Sequence, residues 1–356
     1  MTTVTESMLD PALEQFIRKN TPVPQYNRPS VTLDLLQKRP GIGKNLAWDI
    51  SVGTATGQVF AEGQAITTYQ ADTPLLALLP WAEYGDTFQI TGRAEDAAAY
   101  SQTMLASQML YQLGEARTRS AQGANNDLYT GTGNGSPNHF TGYATANGPF
   151  DASGTYANQD RGTYTQWQGN VLGNGGVPRA LTLPLIEYGL ELVYNASGKT
   201  PTYGATTANL WRRLCELVGD KQRVNVDVVW RGGEVLTMKL GYNAVEVNGI
   251  PIFKDISVPS GNLLFFHEPS NGIEYLPVAP SRIARGKVKA TVPLAGTPQE
   301  QTVMGMPPSG GPLVAILIEL PSAGNFDSWQ LVSTCNSFCE RPNANLWIKD
   351  LSYRTE

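Results

Sequence analysis

The chain has 356 residues, including 36 glycines and 24 prolines, only 16% of its residues are charged, and its formal net charge at pH 7 is −5. This length allows two or three hydrophobic cores, and the glycines and prolines indicate many turns. The acidic balance disfavours a dedicated nucleic-acid binder, because neutralising phosphates requires clustered Lys and Arg side chains. No apolar run approaches a membrane span, the N-terminus does not resemble a signal peptide, and three cysteines fit a reducing compartment.

The first part of the chain, residues 1–43, is predicted to contribute little to a core. A short amphipathic piece, Pro11–Ile17, is followed by prolines whose spacing keeps the chain extended: Pro22, Pro24, Pro29 and Pro40. An extended segment that must still be ordered usually lies on a neighbouring subunit.

Residues 45–71 have the pattern of a long β-hairpin. Trp48, Ile50 and Val52 alternate along the first strand, GTATG forms a flexible tip, and QVFAEGQAITTY returns. An isolated hairpin is marginal in water, so it requires a surface of its own domain or of another subunit. The sequence then predicts two apolar elements, a buried run at Leu75–Trp81 and a short strand through Phe88 and Ile90.

The longest helical pattern covers Thr91–Leu128. Acidic residues lie at its start and basic residues near its end, the polarity that a helix dipole favours: Glu95, Asp96, Arg117 and Arg119. Apolar residues recur at steps of three and four and form one stripe: Ala97, Tyr100, Met104, Leu105, Met109, Leu113 and Ala116. Gly123 and the Asn125–Asn126 pair are predicted to end the helix. Such a helix is either a beam along a broad surface or a core helix of an α+β enzyme.

A Gly- and Asn-rich stretch that follows, ending at Phe150, is interpreted as an ordered loop, with a domain boundary between Thr163 and Gly176. Residues 179–266 then have the pattern of a compact α/β unit. Its predicted elements are a helix from Thr182 through Tyr194 to a C-cap at Gly198, a helix Ala208–Val218 capped by Thr206 or Thr207 and ended by Gly219, a strand through Val224, Val226 and Val228, a hairpin turning at Asn248–Gly249, and a buried strand Leu263–Phe266. Further strands are predicted at Pro312–Leu320 and Leu346–Leu351, as a pair that packs on the long helix.

Enzyme-like features are each explained better as structure. The sequence ASGKT lacks the first glycine of a phosphate loop, because Val193 occupies that position, and it is interpreted as a helix C-cap. Cys335 and Cys339 have only two histidines in the chain to complete a metal site, His139 and His267. A nucleophilic pair of Cys215 with His267 stays open without local support, and Asp227 and Asp255 are interpreted as exposed strand positions. The sequence therefore predicts no catalytic residue, no metal and no cofactor.

The order of these parts resembles the major capsid protein of tailed bacteriophages, which has the Hong Kong 97-type shell fold that encapsulins share. The most specific pieces are QVFAEGQAI leading through FQITGRAED into the helix, then NDLYTGTG, then VNGIPIFKDISVPSGNLLFF. The resemblance covers about Lys44–Leu351 and implies an α+β chain. Its implied divisions are an N-terminal arm (1–43), an E-loop hairpin with its base (44–84), a P domain with a spine helix and Gly-rich loop (85–178), an A domain (179–273), and returning P-domain strands with a C-terminal segment (274–356).

The resemblance implies a non-enzymatic structural protein that self-assembles into pentamers and hexamers of an icosahedral phage head enclosing double-stranded DNA. The hairpin would lie on an adjacent subunit, and the residues expected at that interface are Trp48, Ile50, Phe60, Glu62 and Tyr69. Expected partners are copies of the chain, separate scaffolding and portal proteins, a decoration protein, and packaged DNA through non-specific contacts of residues such as Arg18, Lys19 and Arg28. The implied location is the virion, assembled in the host bacterial cytoplasm without a membrane.

Some shells of this family join subunits by an isopeptide bond from an E-loop lysine to an asparagine. No lysine lies between Lys44 and Lys199 in this sequence, so a non-covalent shell is expected. Two alternatives remain at this point: an encapsulin-type compartment, which holds cargo enzymes instead of a genome, and a soluble α/β enzyme such as a hydrolase with a site in residues 179–266.

Overall fold

A computed structural model describes residues 31–51, 53, 62–63, 74–92, 102–133, 135, 137–219, 229–230, 234–235, 244–277, 290–295, 313–320 and 326–353. The helices in these ranges are α1 Val31–Leu35, α2 Gln102–Thr130, α3 Leu183–Ser197 and α4 Ala208–Val218. The strands are β1 Gln37–Pro40, β2 Asn45–Ser51, β3 Pro74–Pro80, β4 Ala82–Thr91, β5 Thr155–Tyr156, β6 Gln159–Asp160, β7 Asn170–Leu172, β8 Arg179–Ala180, β9 Tyr203–Thr206, β10 Val229–Trp230, β11 Glu234–Val235, β12 Ala244–Val247, β13 Ile250–Lys254, β14 Leu263–Phe266, β15 Asn271–Tyr275, β16 Ala290–Ala295, β17 Leu313–Leu320, β18 Phe326–Cys339, β19 Leu346–Ile348 and β20 Leu351–Ser352.

Two larger sheets organise the described residues. In the first, the strand order is β1-β15-β18-β17-β16, and β4 pairs along the other edge of β18. The second has the order β12-β13-β9-β14-β19-β7. The chain enters the second sheet at β7, returns to the first at β15, and crosses to the second again at β19, so the two sheets are connected by several segments.

The second sheet is apolar on both faces because each face is covered. Leu263 and Phe265 of β14 pack under α3 and α4, in a cluster with Ile186 and Leu214. The alternate positions of the same strand, Leu264 and Phe266, pack in another cluster towards α2 and the first sheet. The continuous run LLFF follows from this, since a strand covered on both faces has no polar side.

Local sequence signals correctly predicted the two helices and the tight turn of the second sheet's unit. Helix α3 begins after Thr182 and ends in a left-handed C-cap at Gly198, and α4 lies between Thr207 and Gly219. Asn248 and Gly249 have φ values of 53° and 79°, the two positive angles of a type I′ turn, and join β12 to β13. The predicted C-cap of ASGKT is confirmed with them.

The long helix is confirmed, but its predicted ends are wrong. Thr91 is the last residue of β4, and α2 continues through the predicted stops at Gly123 and Asn125 to Thr130. The cause at Asn125 is tertiary, because its side chain is buried and hydrogen-bonded to residues of other segments, which outweighs its weak helix propensity. At 29 residues, the helix is roughly 44 Å long.

The expectation that residues 1–43 lie outside a core is wrong for residues 31–40. Helix α1 buries Val31, Leu33 and Leu35 in the cluster between the two sheets. Strand β1 pairs in parallel with β15 and forms an edge of the first sheet. This segment therefore belongs to the folded unit of its own chain.

The hairpin pairs differently from the prediction. Strand β2 is antiparallel to β3, with Asn45 opposite Pro80 and Ser51 opposite Pro74, so residues 52–73 connect the two strands. The run predicted to be buried, Leu75–Trp81, instead alternates: Leu76 is 48% exposed, whereas Ala77 and Leu79 are buried. The strand through Phe88 and Ile90 is confirmed as part of β4.

The end of the chain is divided between the sheets. Strand β17 covers the predicted strand Pro312–Leu320, and its Leu317 packs with Phe88 and with Ala116 of α2. Strand β19 instead lies between β14 and β7 in the second sheet, and β20 pairs with β8. The strands predicted at Pro312–Leu320 and Leu346–Leu351 therefore do not form a pair, because they lie in different sheets.

The Gly-rich stretch after α2 is an ordered loop built on a buried aromatic group. Phe140, Tyr143 and Phe150 are fully buried. Gly142 is required where the backbone turns past the helix end, because a Cβ there would lie 2.6 Å from the Tyr129 carbonyl oxygen. The loop thereby fills the space between the long helix and the second sheet.

Several predicted features lie outside the described residues: residues 1–30 with Arg18, Lys19 and Arg28, Val52, the hairpin tip apart from Gly53, most of the returning strand, Glu95, Asp96, Ala97 and Tyr100, the side chains of Met104, Leu105 and Met109, and Val224–Val228.

Candidate assembly elements and the joint between the sheets

The hairpin base is fixed to its own chain through one face. Burial alternates along β2: Leu46, Trp48 and Ile50 are buried, and the residues between them are exposed. The buried face packs with Tyr156, Trp167 and Phe338. The main chain contributes as well, because Leu78 N–H donates to the Ala157 carbonyl over 3.0 Å.

The residues predicted to face a neighbouring subunit therefore fall into separate groups. Trp48 and Ile50 are 8% and 6% exposed and are covered by residues of the same chain, so this packing explains their burial without a neighbour, and their contact with a neighbouring subunit stays a prediction. Their alternation correctly identified a buried face, but it could not identify the covering surface. Glu62 is exposed, whereas Phe60 and Tyr69 lie outside the described residues.

Arg161 holds the loop that supports the hairpin base. Its side chain is fully buried and donates to four backbone carbonyls, those of Gly148, Pro149, Ser153 and Trp167, over 2.6–3.4 Å. Burial lowers the pKa of the guanidinium, with nearby Tyr156 and Asp151 acting in the opposite direction. A planar group with five donors suits several converging carbonyls, and Arg161 thereby fixes the surface on which Trp48 packs.

A second arginine fastens the edge strand β1. Arg39 forms ion pairs with Glu274 at 2.9 Å and Glu340 at 2.8 Å, and its guanidinium carbon lies 3.9 Å from the ring centroid of Phe338. Glu274 lies on β15, and Glu340 directly follows β18. The three contacts tie β1 to both neighbouring segments where the chain leaves the first sheet towards the hairpin.

A buried polar group joins three segments that are distant in sequence. We call it the Asp255 joint, and it consists of Thr32 in α1, Asn125 and Tyr129 in α2, and Asp255 and Ser257 after β13. Asp255 accepts hydrogen bonds from Thr32 N at 3.2 Å, Asn125 Nδ2 at 3.1 Å, Tyr129 Oη at 3.2 Å and Ser257 N at 2.9 Å. The Thr32 and Tyr129 hydroxyls are also in short contact.

The electrostatics of the joint are those of a buried carboxylate with many donors. Asp255 is 2% exposed, so it is not the exposed strand position that the sequence suggested. Burial raises its pKa, and the hydrogen bonds from Ser257, Thr32 and Asn125 oppose that rise. Burial and the nearby Asp255 also raise the pKa of Tyr129 well above its ordinary value. No local pattern marks Asp255, and the one signal at Asn125 is a helix-breaking residue inside a helical pattern.

The described residues contain no group of three or more His, Cys, Asp or Glu side chains that could hold a metal ion. Burial raises the pKa of Cys335 and of Cys339 to about 12, which keeps both thiols protonated and weakly nucleophilic. Cys215 lies on the buried face of α4, and His267 Nδ1 is 3.0 Å from Ser270 Oγ. Among the described helices, none is long and apolar enough to cross a membrane.

Comparison with solved structures, but not with sequences, finds proteins similar to this chain. No family model matches the chain, and no curated protein matches its sequence. A chain of the cyanophage A-1(L) capsid asymmetric unit superposes with a TM-score of 0.70 and 19% identity, covering 93% of this chain and 95% of that chain. The chain has the Hong Kong 97-type shell fold.

Two further solved structures share this fold at lower similarity. The capsid of the native GTA particle, computed with C5 symmetry, gives a TM-score of 0.55 and 11% identity over 93% of this chain and 95% of that chain. The holo-SrpI encapsulin complex of Synechococcus elongatus PCC 7942 gives 0.54 and 13% identity over 96% of both chains. The resemblance noted in the sequence would assign α2 as the spine helix, the first sheet to the P domain and the second sheet to the A domain, and these assignments stay predictions.

Proposed function

We propose that this protein is the major capsid protein of a tailed phage, a non-enzymatic subunit that assembles into pentamers and hexamers of an icosahedral head around double-stranded DNA. The observation that carries the proposal is the similarity to the cyanophage A-1(L) capsid chain, at a TM-score of 0.70 over almost the full length of both chains. The proposed location is the virion, after assembly in the host cytoplasm. Scaffolding, portal and decoration proteins, and non-specific contact with packaged DNA, belong to the same proposal.

Features of the chain itself support self-assembly. The charged fraction is 16%, below the usual quarter. Tyr188 and Tyr194 on α3 are 54% and 59% exposed, and tyrosine is enriched at protein interfaces. Residues 52–73 connect the two strands of a base that is held by Trp48 and by the loop around Arg161, and Glu62 in this connection is exposed. This arrangement would let the connecting segment reach a neighbour while its base stays in its own subunit.

Assembly tests the proposal directly. The purified full-length protein should form closed particles visible by negative-stain microscopy, with a mass by light scattering of many times the 38.5 kDa chain. Because shell assembly can require a scaffold, the same measurement is made on protein co-expressed with the genes that flank it in its source genome. A stable monomer or small oligomer in both preparations would contradict the proposal and favour a soluble protein that shares the shell fold without assembling into particles.

An encapsulin-type compartment is the second candidate, because the SrpI encapsulin covers 96% of this chain at a TM-score of 0.54. The contents of purified particles separate the two functions. Nuclease-protected double-stranded DNA in particles from the native source supports the phage head. A co-purifying protein cargo in particles without protected DNA supports the compartment.

A further inference from the structure

Helix α1 depends on tertiary contacts for its stability. It has five residues, and an isolated helix of that length is unstable in water. Its apolar side chains Val31, Leu33 and Leu35 are buried in the cluster between the sheets. Two of its backbone N–H groups donate to side chains, Thr32 to Asp255 over 3.2 Å and Leu33 to Asn125 Oδ1 over 3.2 Å.

The contacts of α1 are shared with the contact between the spine helix and the A domain. Asn125 accepts from Leu33 through Oδ1 and donates through Nδ2 to Asp255 and to Ser257 Oγ, over 3.1 and 3.0 Å. Tyr129 contacts both Thr32 and Asp255 through its hydroxyl. The side chains of Asn125 and Tyr129 thus bind α1 on one side and the A-domain turn on the other.

We propose that the Asp255 joint couples α1 to the A domain, so that α1, the last turns of the spine helix and the turn at residues 255–258 open and close as one cooperative unit. If α1 undocks from the cluster between the sheets, Asp255 loses the N–H donor of Thr32, and the Tyr129 hydroxyl loses its contact with the Thr32 hydroxyl. Water then reaches the Asp255 carboxylate, which is 2% exposed while α1 is docked. Once water reaches the joint, it can replace the hydrogen bonds among Asp255, Asn125 and Tyr129, so these bonds no longer keep the segments together.

The coupling is reciprocal, as any coupling between sites must be. A contact that holds the chain N-terminal to Val31 would favour docked α1 and thereby the closed joint, and loosening of the A-domain turn would release α1. The inference does not depend on the proposed function, since all the residues belong to one chain. Residues 31–36 would therefore dock reversibly and stabilise the contact between the spine helix and the A domain.

Hydrogen–deuterium exchange of the full-length protein tests the proposal with a matched pair of variants. Asn125→Ala removes the shared side chain and its hydrogen bonds to Leu33, Asp255 and Ser257. We expect exchange to become at least about tenfold faster in peptides covering residues 31–36, 123–130 and 255–258 together, because about tenfold is typical of one lost buried hydrogen bond. Peptides from α3 should keep their wild-type rates. Asn126→Ala is the control, because the neighbouring Asn126 is exposed and bonds only within α2 in the described contacts.

The outcomes distinguish coupling from ordinary stability. Faster exchange confined to residues 123–130 would overturn the proposal, and so would a uniform increase that included α3. If Asn125→Ala does not fold, Asp255→Asn keeps the size of the side chain and replaces one acceptor oxygen with a donor, and the same three peptides should respond. A response in residues 255–258 without residues 31–36 would also contradict the coupling.

Discussion

The side-chain amide of Asn125 lies 3.1 and 3.3 Å from the two carboxylate oxygens of Asp255, a residue 130 positions away in the sequence. This contact fixes the end of α2 against the turn that follows β13, in a region where both sheets share one core cluster. Breaking a hydrogen bond to a buried charge leaves the charge unpaired, so such a contact sets a single geometry more strongly than apolar packing alone.

The first prediction concerns the hairpin base. Trp48→Ala should lower the free energy of unfolding by about 3–5 kcal/mol, because it removes a large side chain from a buried cluster. Asp49→Ala, at the adjacent exposed position of β2, should change it by less than about 0.5 kcal/mol. Denaturant unfolding of both variants gives the comparison. If Trp48→Ala kept its stability but no longer formed particles, Trp48 would instead contribute to an intersubunit surface.

The second prediction concerns Arg161. Arg161→Met should destabilise the chain by about 3 kcal/mol or more, because buried carbonyls of the supporting loop lose their donors. Arg212→Met is the matched control, since the Arg212 side chain is 67% exposed and its loss should be nearly neutral. Calorimetry of both variants measures the difference. Equal melting temperatures would show that the loop is held without the guanidinium.

The third prediction concerns the thiols. Cys335 and Cys339 have pKa values raised to about 12 by burial, so they should not react with a thiol reagent at neutral pH until the protein is unfolded. Denaturation without reductant should then reveal three free thiols per chain, because all three cysteines are free in the structure. Fewer than three would indicate a disulfide and contradict the fold, since Cys335 and Cys339 lie on one strand.

The fourth prediction concerns Lys38. Its ammonium donates to the Asp34 and Leu36 carbonyls at the end of α1, and burial lowers its pKa from 10.5 to about 8. Between these values the unfolded chain binds a proton that the folded chain has lost, so stability from this group increases as pH rises.

The Lys38 effect has an opposing contribution from the cysteines. Their folded pKa values exceed the ordinary 9.0, so their contribution is present below pH 9 and is lost as pH rises towards 12. The test is therefore the melting temperature of wild type minus that of Lys38→Met, measured between about pH 7.5 and about pH 9. The difference should grow with pH, and a constant difference would refute the assignment.

Sequence alone predicted the elements whose signals are local. The caps at Thr182 and Gly198 and the turn at Asn248–Gly249 specify their own geometry within a few residues, and the structure confirms them. The pairing of β2 with β3 and the insertion of β19 beside β14 were missed. Alternation shows that a strand has a buried face, but it does not identify the strand or surface that covers it.

The joint was missed for a related physical reason. Asn125 and Asp255 both have weak preferences for the positions they occupy when each is considered alone, and only their mutual contact stabilises them there. Sequence reasoning assigned Asn125 to a helix end and Asp255 to an exposed position. Sites of this kind, where local preference and tertiary structure disagree, are where functional constraints concentrate.

The last prediction concerns covalent locking and depends on the proposed function. An isopeptide cross-link requires an amine nucleophile on the segment that reaches a neighbour, and no lysine lies between Lys44 and Lys199. Lys44 directly precedes β2, at the opposite end of that strand from residues 52–73, a span of roughly 25 Å for seven extended residues. Lys38 is buried on carbonyls of its own chain.

The shell should therefore be held without cross-links. Particles boiled in SDS with reductant should run as one band near 38.5 kDa, and native particles should dissociate reversibly in denaturant, because every contact between subunits is non-covalent. A ladder of heavier bands that survives boiling would contradict the prediction. Mass spectrometry of the bands would then identify the nucleophile, with Lys44→Arg as the variant that tests whether the hairpin base reaches a neighbour after all.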